Sequence, residues 1–285
     1  MPGDSGMSFV FARFRRALEE RTGISLDADK EYLAESRLSP IMRQHGFPDI
    51  APLVDAFERG EDPSLVQKVI DAMTTNETLF FRDRTPFESF RWHVLPDLLR
   101  RRSAERSLRF WCAACSTGQE AYSVAMTLDQ EARALRGWSI DILATDLSTS
   151  AIETARAGSY SHFEVQRGLP TGHLLRYFHR KEESWRINEH MRARIEFQDF
   201  NLLWDFAPLG TFDAIFCRNV LMYFEPETRR AILGRLERAL NPGGFLFLGA
   251  SEGASEAGGM FAPVSGDGVW QARHVETPQK LAVPA

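Results

Sequence analysis

Leu108-Arg109-Phe110-Trp111-Cys112-Ala113 runs through Ala114 into Cys115-Ser116-Thr117-Gly118 and then into a helical stretch from Glu120 to Leu135. A short apolar run, a turn of small residues and a helix make up the first strand–helix unit of a parallel sheet. The unit recurs downstream. Ile140-Asp141-Ile142-Leu143-Ala144-Thr145 reads as a strand ending at Asp146, with Ser148 placed to cap the next helix. Phe212-Asp213-Ala214-Ile215-Phe216-Cys217 is another strand, followed by a helix from Pro226 to Leu240. Asn241-Pro242-Gly243-Gly244 stops that helix, and Phe245-Leu246-Phe247-Leu248-Gly249 follows as a strand. Strands alternating with helices predict an α/β domain, a mainly parallel sheet with helices on both faces.

The flanks follow other rhythms. Residues 1–75 show apolar residues at helical spacing: Phe9, Phe11, Phe14, Leu18, then Leu33, Leu38, Ile41, Met42, then Leu53, Val54, Phe57. Asp62 is placed to cap a last helix begun by Pro63, whose buried stripe is Leu65, Val66, Val69, Ile70 and Met73. A small all-α domain is expected there. Residues 160–198 are polar, and Arg192-Ala193-Arg194-Ile195-Glu196-Phe197 alternates as a half-exposed strand does. They read as a small antiparallel β-subdomain inserted into the α/β domain of 76–275. Gly266-Asp267-Gly268 is a hairpin signal between two final strands, and 276–285 reads as a tail.

Composition sets bounds. Of 285 residues, 44% are hydrophobic and 26% charged, as in ordinary globular domains, and the length suits two domains. The net charge of −5 argues against a protein that mainly grips nucleic acid. No stretch nears the ~20 apolar residues of a membrane span, and the N-terminus lacks a signal-peptide run. A cytoplasmic protein with no membrane insertion is expected. Three cysteines are too few for a disulfide scaffold.

A doubly wound sheet binds ligands beyond the carboxyl ends of its strands. After the first strand, small residues allow close backbone approach, and a helix N-terminus offers free N–H groups. Asp146, at the end of the second, suits the two hydroxyls of a ribose. The triple-glycine cradle for a pyrophosphate is missing, and Glu120 matches a cationic amino group or sulfonium better than phosphates. A nucleoside without phosphates is thus favoured over NAD.

Five segments are more specific: Thr75-Asn76-Glu77-Thr78-Leu79-Phe80-Phe81-Arg82, Ser116-Thr117-Gly118-Gln119-Glu120-Ala121-Tyr122-Ser123, Asn201-Leu202, Phe216-Cys217-Arg218-Asn219-Val220-Leu221-Met222-Tyr223-Phe224 and Gly249-Ala250-Ser251-Glu252. In this order they resemble the CheR-type chemotaxis receptor methyltransferases, from about residue 10 to about residue 273. The resemblance implies a Rossmann-like class I fold with an N-terminal helical domain and an inserted β-subdomain. It implies S-adenosylmethionine as cofactor, glutamate side chains on the cytoplasmic helices of chemotaxis receptors as substrate, and adaptation as the outcome. Asn76, Thr78 and Arg82 then correspond to cofactor contacts from the domain junction, with Arg82 on the methionyl carboxylate. Glu120 corresponds to the methionyl amino group and Asp146 to the ribose. Asn201, Leu202, Arg218 and Asn219 correspond to the adenosine and sulfonium side. Tyr223, with Arg82, belongs beside the transferred methyl.

Three positions depart from that pattern. Gln119 and Ala121 stand where Glu and Pro are common, and Ala250 where His is. Members that dock on a receptor's C-terminal pentapeptide tend to carry a glycine-rich loop in the β-subdomain. Here Phe178-His179-Arg180-Lys181-Glu182-Glu183-Ser184-Trp185 has no glycine, so no pentapeptide tether is expected.

Other residues have plainer readings. Cys112 and Cys115 have C-x-x-C spacing, yet no second Cys/His pair accompanies them, so small buried residues are expected rather than a metal site. Arg100, Arg101 and Arg102 read as a solvated face, and Arg37 and Arg43 as surface charge that the resemblance would let touch a receptor. Asp213 reads as structural, Tyr160 and Phe163 as packing, and Trp185 equally as a cap on the β-subdomain. Two other functions stay open: a methyltransferase of another substrate, and a non-catalytic regulator that keeps the cofactor pocket.

Overall fold

The computed structural model describes residues 4–265 and 268–273. Four helices come first: α1 (Asp4–Thr22), α2 (Glu31–His45), α3 (Ile50–Arg59) and α4 (Pro63–Met73). Their caps follow from the sequence. Asp49 accepts the Ala51 N–H, and Asp62 accepts those of Ser64 and Leu65, while Gly46 and Gly60 close α2 and α3 in the left-handed conformation. Phe14, Leu18, Leu38, Val54, Phe57 and Val69 are essentially inaccessible to solvent. Each such side chain stabilises by about 1.5–3 kcal/mol. Two expectations shift. Phe9 is 66% exposed, and Ala34 is fully buried where Leu33 is only half-buried, because the buried stripe of α2 runs Ala34–Leu38–Ile41.

A junction over 74–84 leads into α5 (Thr85–Ser89), a π-helical turn (Phe90–Val94) and α6 (Leu95–Arg101). The α/β region is then β1 (Ser107–Ala113), α7 (Gln119–Gln130), β2 (Ser139–Asp146), α8 (Thr149–Ala157), β3 (Ser159–Ser161), α9 (His162–Gln166), α10 (Thr171–Tyr177), β4 (Phe178–Lys181), β5 (Ser184–Ile187), α11 (Glu189–Arg192), β6 (Ile195–Asp199), β7 (Phe212–Cys217), α12 (Pro226–Ala239), β8 (Leu240–Phe247), β9 (Phe261–Ser265) and β10 (Val269–Ala272). The seven-stranded sheet has the order β6-β2-β1-β7-β8-β10-β9, parallel except for the β8–β10 and β10–β9 pairs. Strand order reverses at β1, so a crevice opens beyond the ends of β1 and β7. Alternation splits the core between the faces. Phe110, Phe216 and Phe247 join one cluster, with the Phe216 and Phe247 rings stacked at 4.3 Å, while Trp111, Ile215 and Leu246 join the other.

The polar stretch holds the expected antiparallel element, a three-stranded sheet of order β3-β5-β4. Its expected boundary moves. Ile195–Asp199 pairs in parallel with β2, so β6 is the edge strand of the main sheet. Its half-exposed alternation is that of an edge strand, which the sequence pattern cannot assign to one sheet or the other. The helix after β1 stops at Gln130, short of Leu135, where Arg91 holds both Gln130 and Glu131. The tail expected over 276–285 lies outside the described residues, as do Gly266 and Asp267, although β9 and β10 do pair antiparallel.

The helical bundle is fastened to the sheet's upper rim. Ile24 bridges Phe224, Ser25 N–H donates to the Tyr223 carbonyl at 2.8 Å, and Asn201 Nδ2 donates to the Arg21 carbonyl at 2.7 Å. Asp71 of α4 accepts the Thr149 N–H at 3.1 Å and the Thr149 hydroxyl at 3.1 Å, capping α8 from the other domain.

Several charges take structural posts. Asp213 is buried and accepts from Arg102 Nε, Arg109 N–H and Asn241 Nδ2, as expected of a structural acid. Arg102 therefore departs from the solvated-face reading, because this buried carboxylate needs a partner. Arg37 donates to the Met73 and Thr74 carbonyls, serving the open C-terminal end of α4. Cys112, Cys115 and Cys217 are free and buried, and burial pushes all three thiols well above their ordinary pKa. Tyr160 is buried with its hydroxyl on the Thr117 carbonyl, whereas Phe163 is 66% exposed and packs little. Arg167 lies over the Phe163 ring, 5.5 Å from its centroid. Trp185 is half-buried in β5 and donates to His162.

Candidate active site

A cleft of about 1000 Å³, open to solvent, lies between the bundle and the carboxyl ends of β1, β2, β6 and β7. Asn76, Thr78, Arg82, Glu120, Asp146, Asn201, Leu202, Arg218, Asn219 and Tyr223 all line it. These ten come from five separate stretches of sequence, and the fold brings every one to the same cleft.

The floor is the turn after β1. Ala114, Ser116 and Gly118 have φ of 56°, 52° and 94°. Left-handed Ala and Ser cost about 1 kcal/mol each, strain characteristic of functional turns. A Cβ on Gly118 would come within 2.8 Å of the Ala155 Cβ, so the turn packs tightly on α8. The twist aims the Ser116 N–H at Asp146 Oδ2, 2.7 Å away, and Asp146 Oδ1 accepts the Ser148 N–H at 2.9 Å. Burial raises the pKa of Asp146, and the N–H groups of Ser148 and Ser116 oppose that rise. Each carboxylate oxygen has two lone pairs. After these two bonds, both oxygens keep acceptor capacity for hydroxyl donors.

Glu120 sits in the first turn of α7, where the helix dipole favours an anion. Burial raises its pKa, while Arg218, paired with it at 3.0 Å, lowers it. The Arg218 side chain is 1% exposed. It also bonds Asp83 Oδ2 at 2.6 Å and the Arg82 carbonyl at 3.0 Å, and lies over the Phe87 ring. Arg218 lines the cleft, and its two terminal nitrogens are held by these protein partners. The reason lies in the junction. Phe81, Asp83 and Arg84 all have positive φ, and Arg218 bolts this strained loop to the end of β7. Arg82 is carried by the same loop: its Nη1 donates to the Glu77 carbonyl at 3.3 Å, and among the described residues no carboxylate pairs with its guanidinium.

Other cleft residues have fixed frames. Asn76 reaches the Ser148 hydroxyl at 3.4 Å, and its carbonyl accepts the Ser116 hydroxyl at 2.9 Å. Asn201 is held on both sides, donating to Arg21 and accepting the Leu203 N–H. Asn219 has φ of 58°, and Tyr223 ends a short 3-10 turn in the cleft wall. The residue-by-residue reading passed over Asp71, Asp83, Ser116 and Glu252 as parts of the site's frame. Only Ser116 and Glu252 stood in a distinctive segment, and nothing in spacing says where a carboxylate will find backbone donors.

Two acids, one unpaired guanidinium and no phosphate cradle suit a ligand with ribose hydroxyls, an ammonium and a carboxylate. A sheet of this order with such a cleft has the class I, Rossmann-like architecture, and the match of residues 76–269 to a SAM binding domain makes the chain a methyltransferase dependent on S-adenosylmethionine. The chain belongs to the CheR methyltransferase family: residues 10–74 match the model of its all-alpha domain, and residues 76–269 that of its SAM binding domain. Among its relatives, the chain is similar to "Chemotaxis protein methyltransferase Cher2" of Pseudomonas putida, at 44% identity over 85% of this chain and 89% of that protein. It is 46% identical to "Chemotaxis protein methyltransferase 1" of Pseudomonas aeruginosa, with the same coverage of both chains. A solved structure, PKMT2 from Rickettsia typhi in complex with AdoHcy, aligns at 17% identity and TM-score 0.38 over 61% of this chain and 26% of that one. Among the described residues no helix is long and apolar enough to cross a membrane.

Proposed function

We propose that this methyltransferase esterifies glutamate side chains on the cytoplasmic helices of chemotaxis receptors, and that it works in the cytoplasm. The reading is supported by the names of the relatives and carried by one observation: Asp146, Glu120, Arg82 and Tyr223 line a single cleft. In this assignment Asp146 takes the ribose hydroxyls, Glu120 the methionyl ammonium and Arg82 the methionyl carboxylate, where a planar guanidinium can bond bidentately. Asn201 and Leu202 border the adenosine, and Asn76, Thr78 and Asn219 complete the walls. Arg218 acts one step back, keeping Glu120 ionised against its burial. Residues 1–75 and 76–275 serve as two domains that share the cleft.

When bound, S-adenosylmethionine supplies a methyl group activated by a sulfonium. A glutamate has a reference pKa near ~4.3, so the nucleophile is already an anion at neutral pH and no general base is required. The chain's task is then to position the carboxylate in line and to strip part of its water. Tyr223 and Arg82 orient it by hydrogen bonds. Too polar a mouth would slow a step in which charge is neutralised.

Incubation with methyl-labelled cofactor and receptor-rich membranes tests the reading: base-labile label on a receptor band is expected. Label that resists base would point to another acceptor atom. Adenosylhomocysteine binding without turnover on any receptor would point to a regulator.

We further propose that no pentapeptide tether is used. The β4–β5 hairpin closes over only Glu182 and Glu183, with Lys181 paired to Ser184. Calorimetric titration with a receptor C-terminal pentapeptide should give no heat of binding, and micromolar affinity would overturn this.

A further inference from the structure

We infer that Glu252 is a positioning residue for methyl transfer, acting through the backbone of the loop that carries Asn219 and Tyr223. The inference rests on the proposed place of Tyr223 beside the transferred methyl. Glu252 lies beyond β8, in the Gly-Ala-Ser-Glu segment. Its Oε2 accepts the Asn219 N–H at 2.6 Å and the Gly249 N–H at 2.8 Å, and its Oε1 accepts the Leu221 N–H at 2.7 Å. One carboxylate thus gathers three backbone donors from the ends of two neighbouring strands, β7 and β8.

The arrangement answers a local problem. Beyond Cys217 the chain leaves the sheet, and Asn219 turns left-handed at φ 58°. Its N–H and that of Leu221 have no strand to pair with. Hydrogen bonds to a charged acceptor are the strong ones, so a carboxylate here fixes the turn more firmly than a neutral group. The 3-10 turn that follows is closed by Tyr223 N–H to the Val220 carbonyl at 3.1 Å, and its direction is set at Asn219 and Leu221. Gly249 keeps the space clear: a Cβ there would lie 2.7 Å from both Glu252 Oε2 and Asn219 Nδ2. A misplacement near 1 Å at a reacting centre lowers rate by about 100-fold, whereas cofactor affinity spreads over contacts on four other loops.

Glu252→Gln tests the assignment. The variant keeps the shape but turns an NH2 toward backbone donors. Amide hydrogen exchange at Asn219 and Leu221 should quicken about tenfold or more, and kcat on receptor should fall by a larger factor than adenosylhomocysteine affinity. Unchanged exchange at both amides, or a loss of kcat equal to or smaller than the loss of affinity, overturns the inference. If that variant does not fold, Gly249→Ala, which crowds the carboxylate but keeps it, is read by the same two criteria. Glu256→Gln, in a pair with Arg229 outside the cleft, is the control expected to match the wild type. The exchange measurement needs no substrate. Wild-type protein that labels no receptor would therefore sink the receptor reading separately, while the exchange result still decides Glu252.

Discussion

The loop after β2 and the loop after β7 flank the turn after β1 on either side of the sheet, and both line the cleft, but they are anchored differently. The β2 loop, Asp146 to Ser148, is gripped from the helical domain, where Asp71 caps α8 and Gln67 Nε2 donates to the Leu147 carbonyl at 3.1 Å, and from the junction, where Asn76 reaches Ser148. The β7 loop, Arg218 to Tyr223, is gripped at Asn219 and Leu221 by Glu252, from the α/β domain itself, and meets the helical domain at its far end, where Ser25 donates to the Tyr223 carbonyl. The difference assigns them different sensitivities. The ribose end of the cleft depends on how the two domains sit together, whereas the reacting end is tied to the sheet.

Substitutions can break that contrast. Asp146→Ala should have the largest effect, because it removes the proposed ribose acceptor and leaves the N–H groups of Ser116 and Ser148 without their partner. At about 1–3 kcal/mol for each ribose hydroxyl left unpaired in the complex, adenosylhomocysteine affinity should fall about 100-fold by calorimetry, while the two unpaired N–H groups lower stability. Wild-type affinity would remove Asp146 from the ribose. Next, Tyr223→Phe should lower kcat about tenfold, the effect of about 1.4 kcal/mol in the transition state, while affinity moves less. An unchanged kcat would take the hydroxyl out of the mechanism.

Asp71→Ala sharpens the contrast from the other side. Loss of a helix cap costs about 1 kcal/mol, to be read from the urea midpoint, and cofactor affinity should weaken a few-fold. Amide exchange at Asn219 and Leu221 should stay as in the wild type. Faster exchange there would show that the two loops are not independently held.

The smallest effect is pH dependence. Burial raises the pKa of both Asp146 and Glu120, so each loses its charge at a higher pH than a free carboxylate. Cofactor affinity, which needs both anions, should therefore decline a few-fold as pH falls from about 7 toward about 5. The ligand-free protein responds in the opposite sense. A raised folded pKa gives a stabilising contribution that is complete below the unfolded pKa and lost as pH rises through the folded one. Urea unfolding of wild type against Asp146→Asn across the acid range isolates that contribution, and a difference independent of pH would contradict it.

How far the sequence could be read depended on the range of the interactions. Strand–turn–helix periodicity gave the parallel sheet, because side-chain alternation and caps such as Asp62 and Ser148 are local effects. The same locality misled at Ile195–Asp199: a strand's own pattern is identical whether it edges a small sheet or the large one, and only the partner strand decides. Arg102 and Arg37 looked like surface charge because their acceptors, Asp213 and the end of α4, lie far along the chain.

By itself the sequence determined the class of fold and the order of its parts, since periodicity and short motifs are written in neighbouring residues; most of the ten residues that line the cleft came only through resemblance to a family. The tertiary structure alone decided what those residues are bound to: that Arg218 is spent on Glu120 and Asp83, that Asp71 caps a helix of the other domain, and that Glu252 holds the loop of Tyr223. Each of these is a contact between groups distant in sequence and satisfied only at close range, and a buried charge or a free N–H takes whatever partner the folded chain brings within reach.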